Sequence, residues 1–414
     1  MRRLEDPEID GAGILEQVPD EAAIPGVGKA GYDLTAKSGE WRQGYYEVLM
    51  GMGQAAEQMD GWVTNKWEKQ AWSPEFIASP TNPRPKVPPP GMDLPPPEDQ
   101  RLPVTEPPET FYLKILTSKG FTTGQRVKAA VAYGDWLSFK ELHSSAEEMY
   151  RWALDIAKSG LPKSDASTVI NPKTSVLSIS APKETITSNL VFATTSLATH
   201  LATTGNITSA LPILVSLLRA RRSADAAPKV KPEPPKDSTV IGTLTTLFQE
   251  PEYPPLPPTG DEPLLRKEED VCDEAILMNH IGEILFATAK SKSQREQGLH
   301  WVRDAVEQAK SAQSIPVISM DPKRKEKCQQ CEEVGLESWG KIMTYLIAEA
   351  EQQRENAKSS WLTTQSGVKK AEEAVKELEV QEGDVAQRLS RLRQKMLQEF
   401  WADEDMKFAR KFAF

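Results

Sequence analysis

Apolar residues recur at intervals of three and four along much of this chain, a spacing that places them on one face of an α-helix. The first such stretch, 40–72, predicts a Trp-rich amphipathic helix. We expect this helix to pack against the rest of the protein, with docking on a partner or a membrane surface as the alternative. Residues 1–39 lack the periodicity, and we expect them to be poorly ordered. The helical spacing in 40–72 is carried by Tyr45, Leu49, Met52, Ala56, Met59 and Val63.

Two later stretches each predict a pair of helices with a small residue in both members. Gly134 is followed by Ala146, and Ala198 by Ala210, in both cases twelve residues later. Two antiparallel helices pack closely only where residues without bulk lie at their crossing, so we expect these positions to face each other. The residues expected to pack around them are Tyr133, Leu137, Tyr150, Ala153, Leu197, Leu201 and Leu214.

Two more helix pairs follow further along the chain. In the third pair the small residues Gly282 and Gly298 lie sixteen residues apart, which predicts a longer turn between its helices. A fourth pair is predicted around Gly340, with its second helix near Ala357. The residues expected to pack around the third crossing are Ile281, Leu285, Val302 and Ala305.

These offsets of small and apolar residues resemble the tetratricopeptide (TPR) pattern, a helix-turn-helix of about 34 residues. One such pair cannot bury its own apolar face. The resemblance therefore implies an all-α fold in which pairs stack into a TPR-like α-solenoid across 109–360. The pairs are not contiguous, and we expect long inserted loops near 163–183 and 227–263. An all-helical bundle with accidental periodicity is the alternative.

The regions on either side of the repeats have their own composition. Prolines are dense in 79–108, which predicts an extended linker. In 364–414 a heptad pattern predicts a C-terminal helix that caps the solenoid, with coiled-coil dimerisation as the alternative. Lys407–Phe414 combine three phenylalanines with basic residues, and we expect them to dock on the protein itself or on a partner. The heptad positions are Ala371, Val375, Leu378, Val385, Leu389, Leu392 and Met396.

Charge and residue usage narrow the function classes. The formal net charge of −10 repels phosphate backbones, so we predict no nucleic-acid partner. Three cysteines and four histidines are too few for a disulfide scaffold or a metal centre, and we predict neither a metal nor a cofactor. We interpret Cys328 and Cys331 as small, half-buried side chains on one helix face. No run of about 18 apolar residues is present, so no membrane anchor is visible in this chain.

The sequence contains no motif that predicts catalysis. Gly26–Gly31 matches the glycine spacing of phosphate-binding loops, but it lacks the strand before it and the helix after it that such a loop requires. Hydrolase, metalloprotease and kinase signatures do not occur either. We therefore predict that the protein is not an enzyme, and an active site assembled from distant helices is the alternative.

A TPR solenoid would place a ligand groove along the inner faces of its first helices. Asp135 and Glu283 at such positions would repel a carboxylate, so we expect the groove to bind a helix, an apolar segment or a basic surface. The residues expected to line it are Val131, Asp135, Thr195, Thr199, Asn279 and Glu283.

Three segments, Tyr133–Leu137, Ile281–Leu285 and Gly298–Ala305, are similar to divergent TPR proteins of fungal mitochondria, which include the adaptor subunit of the i-AAA protease of the inner membrane. The resemblance implies a non-enzymatic adaptor that presents unfolded or membrane clients to AAA protease subunits in mitochondria. The membrane span and presequence of that family are not visible here, so we expect either a truncated or wrongly placed start or a cytoplasmic protein. A structural subunit of a larger complex, held through 40–72 and the C-terminal helix, is the alternative function.

Overall fold

Helices make up most of the regular structure in the computed structural model, and the few strands have two or three residues each. This content confirms the all-α class in its coarse form. By contacts, the chain divides into two units, one of 1–166, 187–197 and 231–262, the other of 167–186, 198–230 and 263–414. The residues that the structure describes are 4–5, 16–17, 31–65, 70–91, 93–162, 166–228, 256–359 and 365–412.

The first unit is built around four helices with a shared apolar core, and two of these helices have side-chain caps at their starts. The Ser38 hydroxyl accepts the N–H of Trp41 at the start of the first helix, and Thr122 and Gln125 form a capping box at the start of the third. The elements in chain order are β1 (Glu16–Gln17), β2 (Tyr32–Asp33), α1 (Gly39–Gln58), β3 (Val63–Asn65), β4 (Ala71–Trp72), β5 (Arg101–Pro103), α2 (Pro108–Thr117), α3 (Thr123–Phe139) and α4 (His143–Ser159).

The helix predicted for 40–72 is shorter than expected. It ends at Gln58, and Gly61 adopts a left-handed backbone with φ of 74° that turns the chain into β3. The β-branched Val63 and Thr64 favour this strand over a longer helix. Tyr45 and Leu49 are fully buried, so the apolar face of α1 packs within its own unit. Trp67 lies outside the described residues.

The proline-rich segment 79–108 is folded onto the first unit and is not a free spacer. Its strand β5 pairs antiparallel with β3, which also pairs with β4. The indole N–H of Trp72 donates to the carbonyl of Asp93 at 3.3 Å, and the guanidinium of Arg101 donates to the carbonyl of Pro96 at 3.0 Å. A polyproline backbone has no internal hydrogen bonds to hold its shape. These contacts with neighbouring residues therefore fix the position of the segment.

The two predicted inserts are partly tied down. The first contains the short helix α5 (Ala166–Val169), followed by a turn in which Ile170 and Leu177 are both buried. Of the second insert, the structure describes 227–228 and 256–263. In that last stretch the side-chain amide of Asn189 donates to the carbonyl of Thr259 at 3.0 Å.

The first three predicted helix pairs coincide with consecutive helices. They are α3 with α4, α6 (Ser188–Thr203) with α7 (Ile207–Ser223), and α8 (Asp270–Thr288) with α9 (Lys292–Ala312). Among the residues predicted to pack, Tyr133, Leu137, Leu285 and Gly340 are half-buried. The others are buried, namely Gly134, Ala146, Tyr150, Ala153, Leu197, Ala198, Leu201, Ala210, Leu214, Ile281, Gly282, Gly298, Val302 and Ala305.

The spacing predicted that Gly134 faces Ala146, but the nearest side chain to Gly134 is that of Tyr150. A Cβ atom on Gly134 would lie 2.9 Å from the ring of Tyr150, so the glycine makes room for a tyrosine on α4. The third pair does bring its glycines together. A Cβ atom on Gly298 would lie 2.5 Å from the backbone nitrogen of Phe286 and 2.9 Å from the carbonyl oxygen of Gly282, so the backbones of α8 and α9 are in contact.

The second unit continues with two long helices. The parallel pair β6 (Asp225–Ala226) and β7 (Leu265–Arg266) precedes α8. After α9 come the short α10 (Pro316–Ser319), then α11 (Pro322–Ser359) and α12 (Gln365–Phe412). The helix α11 packs on both α8 and α9, and α12 packs on α11.

The fourth predicted helix pair is wrong. Gly340 and Ala357 both lie inside α11, which runs without a turn because its sequence is rich in Glu, Gln, Lys and Ala. The glycine that makes a close approach is Gly335, where a Cβ atom would lie 2.7 Å from a methyl group of Val306 on α9. The second helix predicted near Ala357 does not exist as a separate element, and the helix that follows α11 and packs along it is the C-terminal helix.

The predicted C-terminal helix directs its heptad face into its own unit. All seven heptad positions are buried or half-buried, and Val385 and Leu392 pack with Val306 and Leu336. Ion pairs between Arg388 and Glu332 at 2.9 Å, and between Lys358 and Glu372 at 3.2 Å, fix an antiparallel register with α11. This face is therefore buried inside the unit and is not free for a dimer.

The glycine contact between α8 and α9 can be tested with Gly298→Ala. We expect the free energy of unfolding to fall by about 2 kcal/mol, because overpacking outweighs the gain in helix propensity. Gly383→Ala on α12 is the matched control, since a Cβ atom at Gly383 would meet no neighbouring side chain or helix within 4 Å, and it should raise stability by up to about 1 kcal/mol. Urea unfolding of both variants measures the difference, and equal stabilisation by both would contradict the contact.

Candidate protein-docking site

The residues predicted to line a groove do not form an exposed surface. Val131 and Asn279 have only 5% and 3% of their surface exposed, so neither can contact a ligand in this structure. Asp135 is exposed, but its carboxylate accepts the hydroxyl hydrogen of Tyr150 at 2.6 Å. Thr195 and Thr199 are half-buried, and the Thr195 hydroxyl donates to its own helix backbone at 2.7 Å.

Asn279 and Glu283 instead belong to a polar contact between α8 and α11. The Asn279 amide donates to the Ser338 hydroxyl at 3.1 Å, and that hydroxyl is also hydrogen-bonded to the Glu283 carboxylate. Burial opposes ionisation of Glu283, but the hydrogen bonds from His280 and Ser338 outweigh it and hold the pKa of this carboxyl below its usual value. A second helix therefore buries Asn279 and contacts Glu283, whose side chain stays 40% exposed.

A disulfide bond joins Cys272 on α8 to Cys328 on α11, with their Cα atoms 5.3 Å apart. The interpretation of Cys328 as a small, half-buried side chain is therefore wrong, since Cys328 is buried and disulfide-bonded. The two cysteines are 56 residues apart in sequence, and no motif links them. They share one apolar cluster with Ala309 and Ile318, so the bridge closes where the starts of the two helices meet.

Cys331 lies one helical turn after Cys328 in the same cluster and keeps a free thiol. Burial raises the pKa of this thiol to about 12, and the nearby Asp273 carboxylate adds to the effect. The thiolate is the reactive form of cysteine, so this group is inert at neutral pH.

An open groove lies between the first turns of α11 and the last part of α12. We call it the terminal groove, and its volume is about 590 Å³. Its lining residues are Ser319, Pro322, Lys325, Glu326, Gln329, Glu333, Arg393, Met396, Leu397, Glu399, Phe400 and Ala402.

Large apolar side chains are exposed along this groove. Leu397 and Phe400, which line the groove on α12, have 57% and 56% of their surface exposed. Trp401 and Met320, which adjoin lining residues in sequence, have 58% and 83% exposed. The rings of Phe400 and Trp401 stack edge to face with centroids 5.5 Å apart. Grouped apolar exposure of this kind, bordered by charged residues, is typical of an interaction surface.

Ion pairs border the groove. Lys325 contacts Glu399 at 2.8 Å, and the Gln329 amide donates to the same carboxylate at 3.0 Å. Burial raises the pKa of Glu399, but these two donors outweigh it and leave the pKa below its usual value. Arg393 contacts Glu333 at 2.7 Å. Both cations of the lining are thus already neutralised by carboxylates of the same protein.

Sequence reasoning placed no site at the terminal groove. The available signal was the adjacent pair Phe400-Trp401, which follows the last heptad position, Met396, and does not continue its pattern. Of the segment Lys407–Phe414, predicted to dock, the residues up to Phe412 belong to α12. The side chains of the whole segment lie outside the described residues.

Two further observations concern chemistry and membranes. In the parts of the chain that the structure describes, no group of three or more His, Cys, Asp or Glu residues is arranged to hold a metal ion. Within the same residues, no helix combines the length and the apolar character needed to cross a bilayer.

Reduction of the disulfide should destabilise the second unit. Closing a chain segment of 56 residues restricts the unfolded state, so its opening is expected to lower the free energy of unfolding by about 4 kcal/mol. Urea unfolding with and without reductant measures this loss. The variant Cys331→Ala should show the same dependence on reductant, whereas an unchanged midpoint in the wild-type protein would speak against the bridge.

The free thiol of Cys331 should resist alkylation well above neutral pH. Its pKa is raised from 9.0 to about 12 on folding, so the unfolded chain releases this proton first and stability falls as pH rises through that interval. We expect iodoacetamide to label the native protein slowly at pH 9 to 10 and the urea-unfolded protein rapidly. Equal labelling rates would show that the thiol is accessible.

Comparison of the chain with protein-family models, with curated proteins and with solved structures finds no match in any of the three.

Proposed function

We propose that this protein is a non-enzymatic scaffold that binds other proteins through the terminal groove. The observation that carries the proposal is a group of exposed apolar side chains at one groove. Leu397 and Phe400 line it, and the exposed Met320 and Trp401 lie next to lining residues in sequence. Burying such side chains against a partner releases about 25 cal/mol per Å² of apolar surface. A partner surface is therefore the natural environment for this group.

The composition of the surface favours a protein partner over a small molecule. Aromatic residues, Met and Arg are enriched in protein interfaces, and a polar border that excludes water surrounds their central anchors. Here Phe400 and Trp401 supply the aromatic anchors, and the pairs Lys325–Glu399 and Arg393–Glu333 supply the border. A small molecule would bury only part of a groove that is open along its length.

The resemblance to fungal mitochondrial TPR proteins extends the proposal to an adaptor that presents client proteins to a membrane AAA protease. The close glycine crossing of α8 and α9 supports the repeat part of that proposal, since it lies where the TPR pattern requires a small residue. Protease subunits and unfolded clients are then the proposed partners.

The disulfide bears on the proposed location. Structural disulfides persist in oxidising compartments and are rare in the reducing cytosol. The bridge between Cys272 and Cys328 therefore favours an oxidising compartment over the cytoplasmic alternative. This argument does not depend on the family resemblance, and it is compatible with the mitochondrial proposal only for a compartment in which thiols are oxidised.

A structural subunit of a larger complex is the second candidate function. It was expected to use 40–72 and the C-terminal helix. The exposed pair Phe400 and Trp401 favours the part that concerns the C-terminal helix. The apolar face of α1 is buried in its own unit, so it does not support the other part.

The double substitution Phe400→Ser with Trp401→Ser tests the docking function. Crosslinked purification of the full-length protein from cells, with quantitative mass spectrometry, should show partners depleted more than about tenfold relative to wild type, because central aromatic anchors contribute about 2 kcal/mol or more each. Val380→Ser on the same helix is the matched control, since Val380 is 65% exposed and does not line the groove.

Partner sets that are the same for the double variant and the wild type would overturn the proposed docking site. Recovery of AAA protease subunits with the wild type and the control, but not with the double variant, would support the adaptor. A fixed set of partners in constant ratio would favour the structural subunit.

A further inference from the structure

We propose that the terminal groove receives an amphipathic α-helix of a partner protein, with Lys or Arg residues beside its apolar face. This inference rests on the proposed docking function and specifies the partner of the same site.

The shape of the groove favours a helix as its occupant. Its lining on α11 follows the helical positions 322, 326, 329 and 333, and its lining on α12 follows 393, 396, 397 and 400. Each set marks one side of a helix, so the groove is the valley between two antiparallel helices. From 322 to 333 the backbone of α11 rises by about 16 Å, which is the length of three turns of a third helix. A helix of this length can lie in such a valley at the usual spacing of about 8–10 Å between axes.

The apolar residues in the valley favour a bound helix that has an apolar face. Met396, Leu397 and Phe400 line α12, and Pro322 faces them from the start of α11. A helix bound in the valley would meet them with apolar side chains at positions i, i+3 or i+4, and i+7. Trp401 follows Phe400 in sequence, and its exposed ring contacts the ring of Phe400 edge to face.

The charges of the groove lining favour a partner with basic residues. Glu326, Glu333 and Glu399 line the groove against only Lys325 and Arg393, which leaves an excess of one negative charge. Both cations are engaged by carboxylates of this chain, and Lys395 adds only a weaker attraction to Glu399. Glu326 is exposed and accepts a hydrogen bond from the neutral amide of Gln330 at 3.2 Å. A Lys or Arg of the partner can pair with this carboxylate.

The same charges disfavour two other occupants. A second copy of this chain would bring together two acidic groove borders and two net charges of −10. An anionic lipid surface attracts Lys and Arg, whereas carboxylates predominate along this groove. An amphipathic helix with basic residues is the occupant that matches both the shape and the charge.

Two designed peptides test the inference on the full-length protein. Both have about 14 residues, with leucines along one helical face. The other face carries lysines in the first peptide and glutamates in the second. Fluorescence anisotropy of labelled peptides at about 0.15 M ionic strength gives their Kd values. We expect the lysine peptide to bind at least about tenfold more tightly than the glutamate peptide.

Variants of the protein locate the binding. The double variant of Phe400→Ser and Trp401→Ser should weaken the lysine peptide by more than about tenfold. Glu326→Gln should weaken it about threefold, as expected for one solvent-exposed ion pair. Two control substitutions on α12, Val380→Ser and Glu377→Gln, should leave its Kd unchanged because neither residue lines the groove.

The outcomes separate this inference from the proposed function. Equal affinity of the two peptides, or binding of the lysine peptide that the double variant does not weaken, would overturn the basic-helix partner. Loss of cellular partners in the double variant without any peptide binding would also overturn it, while the docking function would stand. Retention of all cellular partners by the double variant would remove the docking function itself. Thermal unfolding of each variant checks that it is folded.

Discussion

The backbone contact between α8 and α9 is the constraint on which the second unit depends. It exists because Gly282 and Gly298 both lack a side chain at the crossing. Once these two helices lie this close, α11 can pack on both of them, with Gly335 admitting Val306. The helix α12 then covers α11, and the terminal groove lies between the first turns of α11 and the facing part of α12. The position of the candidate site thus depends on packing that begins at the crossing of α8 and α9.

The long hairpin of α11 and α12 separates two kinds of apolar residue. Its heptad face is buried with Val385 and Leu392 inside the unit, whereas Phe400 and Trp401 point away from that face and stay exposed. Ion pairs such as Arg388–Glu332 and Lys325–Glu399 lie along the hairpin and set its register. Register matters for binding, because a shift of one turn would move the aromatic pair away from the first turns of α11. The same pairs that stabilise the fold therefore also shape the groove.

The sequence predicted those parts of the fold that depend on local spacing. The helical periodicity located α3, α4, α6, α7, α8 and α9, and the heptad pattern located α12. The prediction failed where one local sequence signal is compatible with two different structures. Gly340 looked like a residue at a helix crossing, yet it is a glycine within a continuous helix. Val63 fitted the helical period of 40–72, but the left-handed turn at Gly61 places it in a strand.

Features made by distant residues were the hardest to predict. The disulfide depends on two helix starts meeting in space, which the separation of Cys272 and Cys328 does not indicate. Asn279 was predicted to face a ligand, but the helix that covers it begins more than forty residues later, at Pro322. The terminal groove needs the end of α12 to lie beside the start of α11. Of the site, the sequence alone supplied only the C-terminal helix and the expectation of a helical, apolar or basic partner.

The disulfide also decides how the chain would respond to a pulling force. If the protein were drawn out from its C-terminus, α12 and then α11 would unravel as far as Cys328. From there the tension would pass across the sulfur bridge to Cys272 and bypass the segment 273–327 between them. That segment includes most of α8 and all of α9, and about 190 Å of contour length would stay inside a closed loop. Any machine that threads this chain would have to admit two or more strands at once or wait until the bridge is reduced.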